Sequence, residues 1–158
     1  MRTGDRFTTR GRTVTEADVV AFAGLTGDYH PQHVDAEWAA GSIFGERVAH
    51  GLLILGLAAG LVAFDPEEVI ALRGVRNAVF KRPVSLGDTI RVDGEVGDVS
   101  EAGIASVSLR VRCGERLVAR AVLDVVLAAA PAAAENGVSS SSRRELLLSD
   151  DVSICVPL

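Results

Sequence analysis

Residues 51–64, Gly51-Leu52-Leu53-Ile54-Leu55-Gly56-Leu57-Ala58-Ala59-Gly60-Leu61-Val62-Ala63-Phe64, contain no polar side chain. Such a run reads as a helix with almost no polar face, and a helix apolar all round has to be covered on several sides. It is well short of the roughly 18 to 20 residues that span a bilayer, so it reads as a buried helix. Something extended must wrap it. The second half of the chain supplies the wrapping: Val107, Leu109, Val111 and Cys113 alternate with Ser106, Ser108, Arg110 and Arg112, the period of a half-buried strand. Ala119, Ala121, Leu123, Val125 and Leu127 continue the pattern on another strand, and Ile90, Val92 and Val96 mark one more before a turn at Glu101-Ala102-Gly103. Helices first, then an antiparallel meander, predict an α+β fold with a curved sheet around a central helix.

Toward the N-terminus, Thr15 and Asp18 form a capping pair ahead of Val19, Phe22 and Ala23 at helical spacing, predicting a short helix that ends near Gly24 to Gly27. Thr26-Gly27-Asp28-Tyr29-His30-Pro31-Gln32-His33 then reads as a loop, because Gly, Asp and Pro favour turns and the residue before proline is pushed out of the helical region. A second short helix is expected over residues 35–40, and residues 45–51 connect it to the apolar helix. From residue 128 onward the chain is Ala/Ser-rich with no sustained apolar period, which divides it into a domain over 1–127 and a flexible tail over 128–158.

At 158 residues the chain has room for one core. Aromatic residues are 4% of a composition that is 48% apolar, so that core is built from Val, Leu, Ala and Ile. A net charge of −5 without a long basic run argues against a nucleic-acid partner. Cys113 and Cys155 make no disulfide framework and suit a reducing cytoplasm. The N-terminal residues have no apolar stretch behind their basic ones, so they do not read as a secretory signal. No membrane association is expected.

Asp28 and His33 stand five apart across a proline-containing loop, a spacing that can aim a carboxylate and an imidazole at one water molecule. Hydration of an enoyl thioester needs such a pair: a proton leaves water as oxygen attacks C3, and a proton reaches C2. His33 titrates near neutrality unperturbed. The thioester oxygen gathers charge in that step, and the unpaired N–H groups where His50-Gly51 opens the apolar helix can hold it. Arg73, Arg76, Lys81 and Arg82 cluster within ten residues, as phosphate contacts or as the charged edge of a strand. A metal set of Asp28, His30, His33 and Asp35, with His50, is the rival reading of the same histidines.

Three blocks in order resemble the MaoC-like dehydratases, which include the (R)-specific enoyl-CoA hydratases: Gly27-Asp28-Tyr29-His30-Pro31-Gln32-His33-Val34-Asp35, then Phe44-Gly45-Glu46-Arg47-Val48-Ala49-His50-Gly51, then Phe80-Lys81-Arg82-Pro83-Val84-Ser85-Leu86-Gly87-Asp88. The resemblance covers roughly residues 1–127. It implies a hot-dog fold paired into a homodimer, and a hydro-lyase acting on 2-enoyl or (3R)-hydroxyacyl thioesters of CoA or a carrier protein. Asp28 and His33 would be catalytic and the Gly51 N–H would polarise the carbonyl. Tyr29, His30, His50, Arg76, Lys81 and Arg82 are the expected substrate-binding residues, and no metal or organic cofactor is implied. The chain departs from the family pattern with His30 where the motif has Asn, Gln32 where an apolar residue is usual, and Ala59 where Ser is frequent. Thioesterase chemistry, or a non-catalytic subunit that binds an acyl chain or carrier protein, are the alternatives.

Overall fold

A computed structural model describes residues 1–128. Apart from Ala128, the expected tail lies outside the described residues, and Cys155 with it. The element order is β1 (Arg6–Thr8), β2 (Arg12–Thr13), α1 (Glu16–Thr26), α2 (Pro31–Val34), α3 (Ala36–Ala40), α4 (Gly51–Leu61), β3 (Val69–Phe80), β4 (Thr89–Val99), β5 (Ile104–Cys113) and β6 (Arg116–Leu127). The strands form one antiparallel sheet in the order β1-β4-β5-β6-β3, with β2 also pairing with β4. With the sheet packed around α4, this is the hot-dog arrangement. Among the described residues no helix is long and apolar enough to cross a membrane.

The meander follows its sequence pattern. On β5, Ala105, Val107, Leu109 and Val111 are buried, and on β4 Ile90, Val92 and Val96 are. All of these except Val96 meet Leu53, Ile54 and Ala58 of α4 in one core, and Cys113 packs at its edge. The expected capping box opens α1: Thr15 accepts from the Asp18 N–H and Asp18 accepts from the Thr15 N–H.

Three features of α4 and β3 differ from the sequence reading. The apolar run leaves the helix at Val62, which is extended, and Val62 buried, Ala63 exposed and Phe64 half-buried follow period two instead. The helix is also open along one stripe: Leu52, Gly56 and Gly60, spaced every fourth residue, are exposed. Finally, β3 showed no alternation to read, because it is an edge strand whose pairing with β6 breaks register three times and whose Ile70, Leu72, Val75, Val79 and Phe80 are all exposed.

Candidate active site

The chain between α1 and α4 carries the chemistry. Gly27 ends α1 in the left-handed conformation, at φ 77°, which glycine adopts without strain. Asp28 follows at once, and its Oδ1 accepts from the His30 N–H at 3.3 Å, so the carboxylate is held in a local turn. His30 is extended, as a residue before proline should be. Pro31 then starts α2, one turn that was read as loop, and that turn carries the His33 ring inward to 5% exposure.

The ring is fixed from both sides. His33 Nδ1 lies 2.6 Å from the Val48 carbonyl; a carbonyl only accepts, so Nδ1 bears the proton and Nε2 presents a lone pair. His50 stacks on His33 with ring centroids 3.8 Å apart. The His50 Nε2–H donates to the Asp28 carbonyl at 2.9 Å, and its Nδ1 is buried without a hydrogen-bond partner. One buried histidine thus ties the Asp28 turn to the His33 ring. Burial pushes the His33 pKa below its ordinary value; the Val48 hydrogen bond works against this and His50 adds to it.

Asp28, His33 and His50 each present a ligand-type atom, and these lie within 4.8 Å of one another. That spacing admits one water between carboxylate and imidazole. It also admits a cation, but stacked rings hold their lone pairs side by side instead of converging them on one centre. The other residues of the rival metal set have different partners: Asp35 caps α3 by accepting from the Trp38 N–H, and His30 Nδ1 accepts from the Gln32 N–H.

These groups border a cavity of about 510 Å³ whose lining includes Asp28, Gln32, His33, His50, Gly51, Phe80, Lys81 and Arg82. Gly51 begins α4, whose first N–H groups have no partner within the helix, and His50 makes no side-chain cap there. The Phe80 ring packs directly on Gly51, where it would meet a Cβ at 2.9 Å.

Of the six residues expected to bind substrate, His50, Lys81 and Arg82 line the cavity, whereas Tyr29, His30 and Arg76 are not part of its lining. Tyr29 is 61% exposed. His30 packs edge-on against Trp38. Arg76 is turned to β6, where its guanidinium grips both Asp124 oxygens at 2.5 and 2.7 Å and holds that carboxyl below the usual range. Sequence reasoning missed Val48 and Phe80 as site residues, and noted Gln32 only as a departure from a motif. A larger cavity, about 1080 Å³, lies at the opposite end of α4, and its lining contains no histidine.

The chain matches the family model described as MaoC like domain over residues 2–120. It is 51% identical over 90 residues to Protein MaoC of Klebsiella aerogenes, covering 56% of this chain and 27% of that protein. To an (R)-specific enoyl-CoA hydratase of Rhodospirillum rubrum it is 34% identical over 79 residues, covering 50% of this chain and 55% of that protein. The match therefore spans little more than half of one relative and about a quarter of the other. Among solved structures, the monoamine oxidase regulatory protein from Archaeoglobus fulgius superposes with a TM-score of 0.74 at 35% identity, covering 82% of this chain and 93% of that one.

Proposed function

Since the chain belongs to the MaoC-like domain family, we propose that it is a hydro-lyase that hydrates 2-enoyl thioesters, or dehydrates (3R)-hydroxyacyl thioesters, with Asp28 and His33 as its acid/base pair. The observation that carries this reading is the His33 tautomer. The Val48 carbonyl accepts from the Nδ1–H, which leaves Nε2 as the basic nitrogen of a ring that shares the cavity wall with Asp28. An (R)-specific enoyl-CoA hydratase among the relatives supports the substrate class.

In the hydration direction, Asp28 accepts a hydrogen bond from one O–H of the water, whose hydrogen stays on the oxygen, and His33 Nε2 takes the other proton as oxygen bonds to C3. The C2–C3 π electrons move toward the thioester oxygen, which the Gly51 N–H holds by hydrogen bond and by the positive end of the helix dipole. The imidazolium then returns its proton to C2. Dehydration reverses each step, and the burial that lowers the His33 pKa keeps the imidazole in its base form at neutral pH. Lys81 and Arg82 at the rim suit the phosphates of CoA or of a carrier-bound pantetheine. A second copy of the chain would cover the β3 edge and its exposed apolar side chains; we place this homodimer in a reducing cytoplasm, without a metal or organic cofactor.

The test is the enoyl absorbance of crotonyl-CoA on adding purified protein, with and without EDTA. The expected result is a fall that EDTA does not prevent. No change with crotonyl-CoA or with a crotonyl carrier-protein thioester would overturn the assignment, and a fall abolished by EDTA would overturn the metal-free mechanism.

A further inference from the structure

The nitrogen that this chemistry needs is already occupied. Gln32 Nε2 lies 3.0 Å from His33 Nε2. Because the Val48 carbonyl fixes the proton on Nδ1, the Gln32 amide is the donor and the His33 lone pair the acceptor. Gln32 cannot drift from this place as a whole residue. Its N–H is held by His30 Nδ1 at 3.3 Å, and its carbonyl accepts from the Val48 N–H at 3.1 Å. Val48 therefore sets the His33 tautomer through its carbonyl and anchors Gln32 through its N–H, so only the Gln32 side-chain torsions are free. The amide shares the cavity wall with His33 and Asp28, where a reacting water or hydroxyl must arrive.

We infer that Gln32 is a positioning residue: its amide occupies the proton-accepting nitrogen of His33 in the empty site and swings aside when the reacting water or hydroxyl arrives. The inference rests on the hydro-lyase reading. It makes two neighbouring residues one device, because the His30 imidazole that caps α2 is what holds the Gln32 backbone under the ring. Displacing the amide costs about one ordinary hydrogen bond, which lowers kcat/KM roughly fivefold.

The experiment compares wild type, Gln32→Leu and Gln32→Glu in two ways. Long-range proton–nitrogen NMR of the imidazoles across pH, without substrate, reads the contact directly. Gln32→Leu is expected to move the His33 Nε2 resonance while Nδ1 keeps its proton, and Gln32→Glu to raise the His33 titration midpoint by about one pH unit or more, as a carboxylate beside an imidazolium does. Asp28, His30 and His50 face His33 in all three chains, so they do not generate the difference. Crotonyl-CoA hydration then reads the consequence, with kcat/KM expected to rise roughly fivefold in Gln32→Leu. An unchanged His33 resonance in Gln32→Leu would overturn the inference, as would a moved resonance with unchanged or lower kcat/KM. Absence of hydration in every chain, wild type included, would count against the hydro-lyase reading, while the resonances would still decide the contact.

Discussion

The β5–β6 hairpin and the segment from Asp28 to Gly51 are held together in opposite ways. The hairpin is a continuous ladder from Ile104 opposite Val126 to Cys113 opposite Arg116, with one break in register, and its inward residues are interchangeable aliphatics. The segment contains helices of four and five residues, too short to persist on their own propensity. Its site residues are held by single contacts, each made by one atom: Asp28 to the His30 N–H, His33 to Val48, His50 to the Asp28 carbonyl. Stability is thus spread over many similar parts of the sheet, while the geometry of the site depends on a few parts with no substitutes.

Substitutions should separate the two regions. Asp28→Asn keeps the oxygen that accepts from His30, and His33→Asn can keep a donor to Val48, so each should leave the unfolding midpoint nearly unchanged while lowering hydration by roughly 10²- to 10⁴-fold. If either variant unfolds instead, the segment is part of the scaffold after all. Leu109→Ala should do the reverse, costing about 2 to 5 kcal/mol in denaturant unfolding with kcat of the folded protein unchanged. A smaller effect belongs to the junction of the two regions. Gly51→Ala pushes a methyl against Phe80, which should cost about 1 to 3 kcal/mol of overpacking and disturb the Gly51 N–H. A drop in kcat/KM that Phe80→Leu restores in the same chain would locate the fault at that contact.

The smallest expected effect is on pH dependence. The folded-state pKa of His33 is depressed by burial below 6.5, so the unfolded chain binds more protons in the window from 6.5 down to that depressed value, and stability falls as pH drops through it. The acid limb of kcat/KM should lie below pH 6.5 for the same reason. A limb above 6.5 would mean that the titrating base is not this ring.

The buried helix and the strands β4 to β6 were legible because their side chains repeat at the period of their own elements, and the repetition survives in the folded burial pattern. β3 was illegible for a matching reason: its burial alternates only over Val69–Arg73, and from Val75 to Phe80 this edge strand is exposed on both faces. For the site, the loop signals of Gly27, Asp28 and Pro31 located the turn. The turn of helix they lead into was missed, since four residues carry no period. What no local reading supplies is Val48, fifteen residues from His33 and apolar, contributing only its backbone. Arg76 shows the converse, a conspicuous cation whose destination was decided by Asp124, 48 residues away on the neighbouring strand.

The bond from His50 to the Asp28 carbonyl also has a metrological consequence. His50 immediately precedes Gly51, so the donor proposed for the thioester oxygen and the turn that carries the carboxylate are parts of one short, stiff link. In an enoyl thioester the carbonyl carbon and C3 are always two bonds apart, whatever follows along the acyl chain. A link of fixed length between the two protein groups acts as a gauge for that constant interval, and leaves the far end of the substrate to be measured by other walls.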